Sequence, residues 1–138
     1  MRINREHVVP LSRQALEAFR QVQATHPGGG LVFPSLGSLD GPTSENTLNA
    51  ALRRLGYAKG EMTSHGLRAM ASTLLNESGK WTPDAIGRAL AHADSDGVRA
   101  AYHRGAHWQE RVKMMRWWSD HLDTLHAGAR ILKFRKGG

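Results

Sequence analysis

Four residues in two short stretches have the types and spacing of a site that cuts a phosphodiester. His65 and Arg68 stand three apart in Ser64-His65-Gly66-Leu67-Arg68, so on a helix both project from one face and can grip one anion. His92 closes Leu90-Ala91-His92, and Tyr102 follows ten residues later. An arginine for the phosphate oxygens, histidines for the proton and a tyrosine for a covalent bond form a toolkit for cutting a nucleic-acid backbone without a metal. Each residue alone has a plainer reading. Arg68 is a surface cation, His65 a capping group, His92 a helix-end histidine favoured by the dipole, and Tyr102 a core phenol. Order and spacing of the four together favour the chemistry.

These side chains must be carried by helices. Thr63 or Ser64 caps one with Leu67, Met70, Ala71, Leu74 and Leu75 as its inward stripe, closed by Gly79. Thr82-Pro83-Asp84 then starts a short helix, combining a capping hydroxyl, proline at the first helical position and an acid in the first turn. Its inward residues are Ile86, Ala89 and Leu90, and it stops near His92. Asp94-Ser95-Asp96-Gly97 is a turn or the start of a helix carrying Val98, Ala101 and Tyr102. A final helix runs from about Trp108 to Leu125, with Val112, Met115, Trp118 and Leu122 at helical spacing.

Upstream, His7-Val8-Val9-Pro10-Leu11 reads as the second arm of a hairpin. Ser12 offers an N-cap to a helix striped by Ala15, Leu16, Phe19 and Val22. Pro27-Gly28-Gly29-Gly30 breaks it, and Leu31-Val32-Phe33 leads into a loop reaching Pro42. Thr43 or Ser44 caps a further helix, with Leu48, Ala51, Leu52 and Leu55 facing in and Arg53 and Arg54 facing out, ended by Gly56. The expected fold class is mainly α with a small N-terminal β element.

With 138 residues, 40% of them hydrophobic, the chain is of single-domain size. Its net charge is +7, from 19 Lys and Arg against 12 Asp and Glu. That balance favours a polyanionic partner, nucleic acid before an acidic membrane surface. Arginine supplies most of the excess, and its planar fork suits bidentate phosphate contacts. The chain has no cysteine, which excludes disulfides and Cys-ligated zinc. No apolar run approaches the roughly twenty residues of a membrane span, and no signal-peptide segment opens the sequence. A soluble, cytoplasmic, nucleoid-associated chain is expected, with no membrane partner. His103 and His107 are four apart, but no third ligand falls at a familiar spacing, so no metal site is expected. The four tryptophans are expected in the core or at interfaces rather than as base-stacking platforms.

The motifs resemble those of the tyrosine recombinase family, in its phage and genomic-island integrase branch. The likeness rests on Thr63-Ser64-His65-Gly66-Leu67-Arg68, Leu90-Ala91-His92 and Val98-Arg99-Ala100-Ala101-Tyr102, which match an H-x-x-R box, an L-x-H box and a tyrosine about ten residues on. His7 to Gln14, Ser44 to Asn49 and Met114 to Asp123 agree with it, so it covers the chain to about Asp123. The resemblance implies a truncated integrase catalytic-core fold over residues 1–125 and a basic tail over 126–138. It implies that Tyr102 is the nucleophile, leaving a 3′-phosphotyrosyl bond and a free 5′-hydroxyl. Arg68 matches the second of two arginines that hold the non-bridging oxygens. His65 matches the histidine that assists phosphate binding and proton handling, and His92 the one that hydrogen-bonds the phosphate. Arg2, Arg5, Arg53, Arg54 and Arg99 are expected to contact DNA.

The family also uses an arginine upstream of the hairpin and a lysine on it, eight residues before the proline matching Pro10. Arg2 stands at the lysine position. Loss of one preorganised phosphate donor costs about 3–4 kcal/mol of transition-state stabilisation, so the chain by itself is expected to be inactive. The expected function is the C-terminal part of a site-specific recombinase for mobile-element integration and excision. The alternatives are a non-catalytic DNA-binding remnant and a basic helical adaptor. No cofactor is implied. The implied partner is double-stranded DNA carrying attachment sites, bound by a homotetramer at full length and by a monomer or weak oligomer as a fragment. Ile131-Leu132-Lys133-Phe134 would dock on a neighbouring protomer or lie as a basic tail on DNA.

Overall fold

The computed structural model describes residues 7–25, 30–35, 37, 41–91 and 107–128. Its helices are α1 (Arg13–Ala24), α2 (Glu45–Arg54), α3 (Ser64–Glu77), α4 (Pro83–Ala89) and α5 (Trp108–His126). Three begin at the hydroxyl residues that the sequence offers as caps. Ser12 Oγ accepts the Ala15 N–H at 3.1 Å, Thr63 Oγ1 the Gly66 N–H at 2.9 Å and Thr82 Oγ1 the Ala85 N–H at 3.3 Å. Each satisfies a donor that the first helical turn leaves unpaired.

α3, α4 and α5 meet in one core. Leu75, Ile86 and Met114 are fully buried, with Trp81, Ala89, Leu90, Met115, Trp117 and Trp118 packed around them. Trp81 and Trp117 meet edge to face at 6.1 Å, and His121 stacks on Trp117 at 5.1 Å. The tryptophans at 81, 117 and 118 are therefore core-wall residues. The far half of α5 receives α1. Ser119 Oγ donates to Ser12 Oγ at 2.6 Å, and Gln14 Nε2 donates to both Asp120 and Asp123 at 2.8 and 2.9 Å.

Two expectations need correction. The N-terminal β element is not formed over the described residues: 7–12 run without a ladder, and the bridge that does occur pairs Pro34 with Pro42. A strand needs a partner edge. Here the Val8 carbonyl is instead taken by Arg111 Nη2 of α5 at 2.6 Å. The other correction concerns α2. Its apolar stripe was expected to face in, but Leu48 is 58% exposed and Leu55 74%. Leu67 and Met70 of α3 are exposed as well. Helical periodicity marks an apolar face without supplying anything to cover it.

Arg111 is 6% exposed although it sits on a helix whose pattern reads as amphipathic. Burial lowers its pKa, and the neighbouring Arg88 guanidinium adds to that. Its guanidinium lies 5.7 Å from the Trp108 ring centroid, so an aromatic face and a carbonyl replace the water that the cation lost.

Candidate active site

The start of α3 carries His65 in its first turn and Arg68 at the beginning of its second, and both residues are exposed. Three contacts set that turn. Thr63 turns its hydroxyl back onto the Gly66 N–H, the Ser64 N–H donates to Asn49 Oδ1 at 2.9 Å, and Arg53 Nη2 donates to the Met62 carbonyl. Gly66 belongs to this arrangement, because a Cβ there would lie 3.2 Å from Thr63 Oγ1. The helix start adds the positive end of its dipole to the Arg68 charge. The histidine and arginine expected to share a helical face are thus placed beside solvent at an anion-favouring helix end.

Arg53 does not face out as the sequence suggested. It is half-buried, its Nε donates to the Asn49 carbonyl at 3.3 Å, and its Nη1 is buried without a hydrogen-bond partner. Two of its guanidinium nitrogens thus bond backbone carbonyls. Arg54, in the last turn of α2, is exposed. Arg2, Arg5, Arg99, His92 and Tyr102 lie outside the described residues, as do His103 and Ile131 to Phe134.

Ala91 has φ of 51° and His107 φ of 62°, and among the described residues these are the non-glycine residues with positive φ. Left-handed backbone costs an L-residue about 1–2 kcal/mol. His107 Nδ1 lies 3.0 Å from Glu110 Oε2. The same carboxylate accepts the Thr82 N–H at 2.7 Å and the Thr82 hydroxyl at 3.0 Å. Local sequence signals for these positioning groups are slight. Asn49 and Arg53 are four apart on a helix, and Glu110 follows His107 by three.

The description "Phage integrase family" fits residues 1–107 of the chain. The chain belongs to the phage integrase family. Its relatives in that family include the integrase of Enterobacteria phage P4, 46% identical over 125 residues, which are 89% of this chain and 28% of the relative. The prophage integrase IntA of Escherichia coli K12 is 42% identical over 132 residues, covering 96% of this chain and 32% of IntA. The prophage integrase IntZ of the same strain is 43% identical over 129 residues, 93% of this chain and 31% of IntZ. The chain therefore spans less than a third of the length of these relatives. No solved structure matches it significantly. Among the described residues, no helix is long and apolar enough to cross a membrane.

Proposed function

We propose that this chain forms the C-terminal catalytic part of a tyrosine-type site-specific DNA recombinase, acting in integration and excision of a mobile element. The observation that carries the reading is the capped start of α3, whose first two turns present His65 and Arg68 together to solvent in a member of the phage integrase family. In this reading Tyr102 Oη attacks a backbone phosphorus. A phenolic O–P bond forms, the P–O5′ bond breaks, and the leaving 5′-oxygen takes a proton. The product is a 3′-phosphotyrosyl ester and a free 5′-hydroxyl.

A phenol with a pKa of about 10 must lose its proton to attack, and an anionic diester repels the nucleophile until its charge is neutralised. Arg68 holds the non-bridging oxygens, His65 assists it and handles a proton, and His92 donates to the phosphate. Because one ester replaces another, the bond energy is kept and the strands rejoin by the reverse attack without a nucleotide cofactor. Duplex DNA with attachment sites is the substrate, and the active form is a tetramer on paired sites. Residues 1–125 carry the catalytic part, and 126–138 a basic tail.

The experiment is a nicked duplex whose cleaved flank diffuses away and traps the covalent intermediate. The protein is a chimera in which this chain replaces the matched stretch of the phage P4 relative. A denaturant-resistant protein–DNA adduct that disappears with Tyr102→Phe supports the enzyme. Duplex binding with no adduct supports a DNA-binding remnant instead.

A further inference from the structure

We infer that Asn49 and Arg53, on one face of α2, are positioning residues that aim His65 and Arg68 at the scissile phosphate; the inference rests on the function proposed above. The two side chains are four apart and so lie one turn above the other. Both reach the same short stretch of chain. Arg53 Nη2 donates to the carbonyl of Met62, and Asn49 Oδ1 accepts the N–H of Ser64 at 2.9 Å. Between these two points lies Thr63, whose hydroxyl holds the Gly66 N–H. The start of α3 is thus fastened at three successive residues, 62, 63 and 64. His65 follows at once.

Neither side chain has the environment of a solvent-facing polar group. Both are half-buried, and Arg53 Nη1 is buried with no hydrogen-bond partner. Arg53 Nε also donates to the Asn49 carbonyl, which ties the two residues to each other. By contrast α2 leaves Leu48 and Leu55 largely exposed. Apolar packing of those two side chains therefore does not set where α2 sits against the start of α3, whereas Asn49 and Arg53 bond that stretch directly. A helix start displaced by an ångström moves both phosphate-binding side chains together, and a misplacement of that size costs on the order of a hundredfold in rate.

The test uses the 138-residue chain in solution, with NMR of the His65 ring and the Arg68 side chain during titration with a short duplex at low salt. Hydrogen exchange of the Ser64 amide is read alongside. In Asn49→Ala, the Ser64 amide should exchange at least ~10-fold faster. The His65 and Arg68 signals should lose most of their response to DNA, while overall duplex affinity changes less than threefold. Asn49→Asp, which keeps an acceptor for the Ser64 N–H, should restore both readouts; a residue that merely stabilised the fold would instead change melting temperature without this rescue. Arg53→Lys should fail to rescue what Arg53→Ala loses, because one ammonium cannot span two carbonyls in the same geometry. If His65 and Arg68 respond to DNA in the parent chain and respond equally in Asn49→Ala, the positioning role is wrong and the phosphate site stands. If they do not respond in the parent chain, the phosphate site itself is wrong, and the inference goes with it.

Discussion

The Glu110 carboxylate, in the first turn of α5, accepts both the N–H and the hydroxyl of Thr82, the residue that caps α4. One side chain therefore fastens the start of one helix to the start of another across 28 residues of sequence. The intervening chain includes 92–106, where Tyr102 lies.

The pH dependence follows from that contact. Glu110 titrates below the usual carboxylate range, chiefly because the Thr82 N–H stabilises the anion. The His107 ring and the Thr82 hydroxyl add to this, and partial burial opposes it. A carboxylate whose folded pKa is depressed contributes stability above its unfolded value, about 4.3, and loses it as pH falls through the lower folded value. Glu110→Gln should cost about 1–2 kcal/mol at neutral pH. In acid its stability should converge on that of the parent. Chemical denaturation at pH 7 and at pH 3 measures the gap; an equal gap at both would show that the charge is not what matters.

Ala91 gives a second expectation. Its left-handed backbone is open to glycine at no steric cost, whereas a β-branched side chain is strained there. Ala91→Gly should match or exceed the parent in melting temperature, and Ala91→Val should fall below it by the equivalent of about 1–2 kcal/mol. The reverse order would mean that Ala91 is not left-handed in solution.

Adjacent arginines on α2 should behave oppositely. Arg54 is exposed, so Arg54→Ala should leave stability within about 0.5 kcal/mol. If Arg54 touches a phosphate, the same change lowers the salt slope of duplex binding by about one. Arg53→Ala strands the Met62 carbonyl and should cost stability by about 1–3 kcal/mol. Binding titrations between 50 and 200 mM salt, run beside thermal melts, separate the two.

What was legible in the sequence was local. Ser12, Thr63 and Thr82 cap helices because the hydroxyl needs to reach only three residues ahead, a distance that spacing alone encodes. The shared face of His65 and Arg68 follows from helical pitch in the same way. Long-range partners were not legible. Arg53 and Arg54 look alike in sequence, and a carbonyl nine residues on draws one inward. Arg111 turns inward from α5 because the Val8 carbonyl and the Trp108 ring receive it. Among the described residues, His7 to Leu11 form no strand, and the Val8 carbonyl is held by Arg111, a partner no local pattern encodes. Of the proposed site, α3 supplies two residues at a helix start whose contacts are in view. The placement of His92 and Tyr102 falls in the stretch outside the described residues.

The decisive measurement is the identity of the residue joined to DNA. The chain has two tyrosines, Tyr57 and Tyr102. After trapping on a nicked duplex with the chimera, nuclease and trypsin digestion should leave a nucleotide remnant on the peptide Ala100-Ala101-Tyr102-His103-Arg104, detected by mass spectrometry and absent after Arg68→Ala. A remnant on any other residue, or an adduct formed at the parent rate by Arg68→Ala, would contradict a phosphate held by Arg68 and attacked by Tyr102.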